Sequence, residues 1–180
     1  MELTTPRIAP LPESEWDDET RELLPKGTRP LNVFTTLVRH PKLFKRWSVF
    51  AGHVLSKSTL PARERELAIL RTGHRCRCAY EFHQHKRLGL SVGLTEAEIA
   101  RVTEPGNAGF SEHDAAIVRA ADELHDAQKI SDETWSTLRK TWDEKQMIDL
   151  LFAVGQYTMV SMVLNSLGVQ IEDAAPGSNP

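Results

Sequence analysis

From Leu150 to Ile171 the chain carries no charged side chain, and Asp149 abuts the run. At the rise of an α-helix this stretch is long enough to cross a bilayer. A helix apolar nearly all round either spans a membrane or is buried in protein. Gln156, Thr158, Ser161, Asn165, Ser166 and Gln170 interrupt the run, and no Lys or Arg abuts it, so burial is the expected outcome. A single domain built from 180 residues has too little core to cover such a helix on every side. A subunit interface would cover it. The expected product is a soluble homo-oligomer with no membrane partner.

The remaining sequence reads as helix after helix, with almost no strand signal. Residues 13–24 place acids early and stop before Pro25. Residues 30–41 make a second helix, cut at Pro41, which opens a third holding Leu43, Trp47, Phe50 and Val54 at helical spacing. A fourth starts near Pro61, sets Leu67 and Leu70 against a charged face of Arg63, Glu64 and Arg65, and ends at Gly73. A fifth runs to Gly89. Thr95 with Glu98 forms a capping box for the sixth. Ser111, Ser131 and Asp143 open three more, the last reaching about Leu167. The segment "EPGNAGF" is a loop. The fold class is all-α, in one domain. A net charge of -3 without a basic stripe argues against nucleic acid. The first residues lack the pattern of a signal peptide, and two cysteines give no disulfide framework, so a reducing cytoplasm is the expected compartment.

The chemistry concentrates in "HRCRCAYEFHQH", residues 74–85. If 77–88 are helical, Cys78, Glu81 and His85 fall at i, i+3, i+7 and share a face, with Cys76, Tyr80 and His83 on another. Cys76 and Cys78 then point apart, which argues against a disulfide between them. A zinc site would need ligands from separate segments, whereas these soft ligands all lie in one, with only Glu66 or His53 to complete a set. His74 and His83 read as solvated and Cys76 as a small core residue. Glu81 and His85, at i, i+4, are placed to hydrogen-bond, which orients the imidazole and raises its pKa. The same spacing also describes an ordinary surface pair.

Glu66 followed by "CAYEFHQH" resembles the signature of the carboxymuconolactone decarboxylase and alkylhydroperoxidase-D-like superfamily. Its peroxidase branch shows Glu, eleven residues, then Cys-x-x-Cys-x-x-x-His. Glu66, Cys78 and His85 take three of those places, and Glu81 stands where the second, peroxide-reacting cysteine would be. "FTTLVRHPKLFKRW", "LPARERELAILRTG" and "VGQYTMVSMVLNSLGV" are similar to the decarboxylase-like branch that lacks the Cys-x-x-Cys. The resemblance covers about residues 30–170, leaving 1–29 as an N-terminal helical arm and 171–180 as a disordered tail. It implies an all-helical oligomeric bundle, a trimer or hexamer, with active sites near interfaces.

The activity so implied is a cofactor-independent carboxy-lyase, of the kind used in aromatic catabolism, acting on a small carboxylated or lactone-like metabolite. His85 would move the proton, Glu81 would orient and charge it, Glu66 would complete the relay, and Tyr80 would donate to the developing oxyanion. Cys78 would line the pocket, and Arg71 and Arg75 would pair with the substrate carboxylate. Two alternatives stand beside it. One is a peroxiredoxin-like thiol peroxidase using Cys78 with an external resolving thiol. The other is a non-catalytic oligomeric binding protein.

Overall fold

Short-range side-chain caps set most of the helix starts. Asp17 accepts from the Thr20 amide at 2.8 Å and opens α1, Asp18–Leu23. A short 3-10 turn, Glu13–Glu15, precedes it, so residues 13–24 form two pieces where one helix was expected. Then come α2, Asn32–Leu37, and α3, Pro41–Ser56. Helix α4, Ala62–Arg75, follows Pro61, and α5 covers Ala79–Ser91. Thr95 and Glu98 form the expected capping box at α6, Glu96–Val102. Ser111 caps α7, Glu112–Ala127, and Ser131 caps α8, Asp132–Leu138. Asp143 and Gln146 exchange side-chain bonds to each other's amides at 2.9 Å at the start of α9, Glu144–Leu167.

This computed structural model describes residues 3–27, 29–106 and 109–172, and among them every regular element is helical. Residues 107 and 108 of the expected loop, and 173–180 of the expected tail, lie outside the described residues. The chain divides into two compact units, one of residues 1–50 and 163–180, the other of 51–162.

In the first unit Leu24, Val38 and Phe44 form a small core lined by Leu11, Trp16, Phe34 and Trp47. The residues expected as an arm are fastened into it: the Arg7 amide donates to Leu167 O at 2.8 Å and the Leu11 amide to Thr35 O at 2.8 Å. Glu172 accepts from the Asn32 amide at 2.6 Å. Gly168 has φ +69, and a Cβ there would lie 3.0 Å from Leu3 Cβ, so both backbone and neighbour favour glycine.

In the second unit α4 lies at the centre, packed by α5, α6 and α7. Leu67, Ala68 and Leu70 meet Ala116, Ile117, Ala120 and Ala121 of α7, with Ile99, Val102, Leu138, Trp142, Met147, Leu150 and Val154 completing the core. The pattern of α4 suggested one charged face, yet every residue from Arg65 to Gly73 is buried. Partners take up the charges of Arg63, Glu64 and Arg71 instead. Arg63 bonds Asp114 at 3.0 Å and also Glu98, and Glu64 accepts from the Trp142 indole at 2.7 Å. Gly73 does not end the helix, which runs two residues further. A Cβ there would sit 3.5 Å from Phe82 N and 3.6 Å from Glu81 Cβ, so this glycine marks where α5 passes close to α4.

Helix α9 is long and apolar enough to cross a membrane, and half of its most apolar stretch is buried within the chain. Ile148, Phe152, Met159 and Met162 recur along one side, each at least 44% exposed.

Candidate active site

Helix α4 ends at its C-cap Cys76, Arg77 takes a left-handed conformation with φ 52, and Cys78 is the N-cap of α5. This reversal folds α5 back on α4 and sets Glu66 of one against His85 of the other. The helix therefore begins after the two cysteines, not at 77, and neither cysteine is in a disulfide.

His85 Nδ1 lies 2.6 Å from Glu66 Oε2, and its Nε2 lies 3.4 Å from Glu81 Oε2. All three side chains are buried, Glu66 to 1% exposure. The i, i+4 contact between Glu81 and His85 is thus present, but the shorter bond comes from Glu66. Burial alone would lower the imidazole pKa. The hydrogen bonds and charges of Glu66 and Glu81 overcome it and raise the group to about 9. His85 is therefore an imidazolium at neutral pH, with Nδ1–H donating to Glu66 and Nε2 in a longer charge contact with Glu81.

The ring packed on His85 is that of Tyr157 from α9, edge-on, with centroids 4.6 Å apart. Burial, then the charges of Glu81 and Glu66, push its phenol upwards, so it stays a neutral donor. The decarboxylase-like reading gives Tyr80 as the donor to the oxyanion. Tyr80 is buried in the first turn of α5. Nothing local in the sequence singles out Tyr157, which lies on the uncharged helix.

Cys78 is 2% exposed. Burial pushes its thiol up to about 11, and the Glu81 backbone amide and the Ser161 hydroxyl offset only part of this. Cys76 is half-buried, 4.0 Å from His125 Nδ1, and burial raises its thiol too.

The two arginines expected at a substrate carboxylate are engaged elsewhere. Arg71 makes a bidentate pair with Asp122, both bonds 2.8 Å, and donates to the Val102 and Glu104 carbonyls at 2.6 and 2.8 Å. Arg75 pairs with Asp126 and reaches Asp122 at 3.6 Å. The arginine that does sit beside the cluster is Arg65, whose Nε is 3.6 Å from Glu66 Oε1.

Residues 41–123 match the model of the carboxymuconolactone decarboxylase family, a stretch holding Glu66, Cys78, Glu81 and His85. That stretch is similar to the family over somewhat less than half of the chain. No curated protein matches it. Its fold is shared with solved structures. An alkylhydroperoxidase AhpD core, a peroxidase-related protein from Ralstonia eutropha JMP134, superposes with TM-score 0.80 at 19% identity, covering 92% of this chain and 93% of that one. A peroxidase-related protein from Silicibacter sp. TM1040 gives 0.77 at 16% identity, covering 95% and 91%. The debrominase Bmp8 in complex with 2,3,4-tribromopyrrole gives 0.71 at 13% identity, covering 96% and 94%. These likenesses establish the all-helical AhpD-like fold.

Proposed function

We propose that the protein is a cofactor-independent acid/base enzyme of the decarboxylase-like kind, acting on a small carboxylated or lactone metabolite, with His85 as the proton donor. The observation that carries this reading is the buried imidazole held between two carboxylates. Loss of CO2 from a carboxylate leaves its electron pair on the organic fragment, delocalised as an enolate or dienolate, and carbon must then receive one proton. His85 starts the reaction holding that proton. Its Nδ1 is anchored by Glu66, while Nε2, only loosely held by Glu81, is the nitrogen free to present its N–H to substrate. After transfer the imidazole is neutral and regains a proton from water, so each turnover consumes one. Tyr157 supplies a neutral hydroxyl beside the reacting group for the developing oxyanion.

A thiol peroxidase needs a thiolate, which a buried Cys78 with a raised pKa does not provide at neutral pH. Glu81 also removes the second cysteine of the dithiol cycle. The test is a panel of small carboxylic acids and lactones assayed for CO2 release, and for solvent deuterium at the carbon that loses it. Turnover should vanish in His85→Gln and persist in Cys78→Ser. Peroxide reduction that requires Cys78, or full CO2 release in His85→Gln, would overturn the reading.

A further inference from the structure

Helix α4 carries four arginines, Arg63, Arg65, Arg71 and Arg75, and they differ in what they hold. Arg63, Arg71 and Arg75 each make hydrogen-bonded carboxylate pairs. Arg65 differs. Its guanidinium makes no hydrogen bond with the described residues, although its side chain is only 11% exposed. Its Nε is fully buried and unpartnered, and the nearest acid atom, Glu66 Oε1 at 3.6 Å, is beyond hydrogen-bond range. The other Glu66 oxygen is already taken by His85. A guanidinium cannot lose its proton to escape this situation, so its buried Nε–H calls for an acceptor.

The vacancy in bonding lies within the acid/base cluster. Arg65 is next in sequence to Glu66, and its charge is felt at the Tyr157 phenol. On the neighbouring residue of α9, Gln156, the side-chain carbonyl Oε1 is likewise buried with no partner. One side of the cluster thus offers a guanidinium whose buried Nε–H is unpaired, and the next residue along from Tyr157 offers an unpaired acceptor. A planar, bidentate acceptor of opposite charge matches the guanidinium best, and a carboxylate is that group.

We propose that Arg65 is the substrate-anchoring residue of this site and selects ligands bearing a carboxylate that the reaction leaves in place. The departing carboxylate is a poor candidate for this contact, because a tight ion pair would stabilise the charge that must disappear as CO2 leaves. The anchored group therefore persists into the product, while His85 delivers its proton elsewhere on the molecule. This assignment rests on the acid/base reading of the cluster, but its test does not require turnover.

The experiment is equilibrium binding to the full chain, followed by calorimetry or ligand-observed NMR, with benzoate, acetate, benzamide and inorganic phosphate as probes. Benzoate and acetate should bind and benzamide should not, which needs no variant. Arg65→Met should weaken the carboxylates by about ten- to a hundredfold, with Arg65→Lys intermediate. Carboxylate binding that depends on Arg65 supports the anchor even where no CO2 is released, an outcome that would count against the acid/base chemistry alone. Equal binding of benzamide, preference for phosphate, unchanged affinity in folded Arg65→Met, or no carboxylate binding at all would overturn the proposal.

Discussion

His85 is held unequally by its two carboxylates, and the inequality assigns them different work. Glu66, 2.6 Å from Nδ1, fixes the ring and supplies most of the field that keeps it charged. Glu81, at 3.4 Å from Nε2, leaves that edge able to turn towards a ligand. Because the charged form is the active one, kcat/KM should hold at neutral pH and fall as pH rises through about 9. Glu66→Gln should draw that falling limb towards neutrality by about one to three units, and Glu81→Gln by less, each measured as a pH-rate profile. Identical limbs in wild type and Glu66→Gln would remove Glu66 from this role. The Glu81 to His85 contact was legible in the sequence because i, i+4 neighbours meet on any helix. Glu66 was legible only through the family signature, since a nineteen-residue separation has no local code. Arg65 was not, because it sits in a run of charges that reads as a solvated face until burial is known.

Among the elements, α4 shows how a sequence pattern can mislead about exposure. A helix studded with Arg and Glu was expected to show one face to water, but α5, α6 and α7 pack against it, and acids and carbonyls take up the charges of Arg63, Arg71 and Arg75. The caps were read correctly because each depends on a side chain and an amide three residues apart, as at Thr95, Ser111 and Ser131. The C-terminus of α4 differs from the expectation because Gly73 lies inside the helix, and the chain reversal falls to Arg77. Arg71 belongs to this scale as well. With its donors committed to Asp122 and two carbonyls, Arg71→Met should cost about 3–5 kcal/mol in urea unfolding, by stranding a carboxylate and two acceptors. A fully stable variant that had lost only substrate binding would return Arg71 to the site.

For the whole molecule, we propose a homo-oligomer in which the α9 stripe of Ile148, Phe152, Met159 and Met162 is covered by another copy of the chain. The uncharged run predicted a helix needing cover all round, and the fold buries half of it. An exposed apolar row of this length is unusual on a soluble monomer. Met159→Glu should shift the protein to a smaller species in light scattering without changing its helical content, and an unchanged mass would place the interface elsewhere. The charge on the imidazole between the two buried carboxylates depends on no substrate and can be measured directly. Nitrogen NMR of the intact protein, titrated with pH, reads the protonation of His85 alone once its resonances are assigned through His85→Gln. The expected result is an imidazolium at pH 7 that loses its proton near pH 9. A ring already neutral at pH 7 would contradict it.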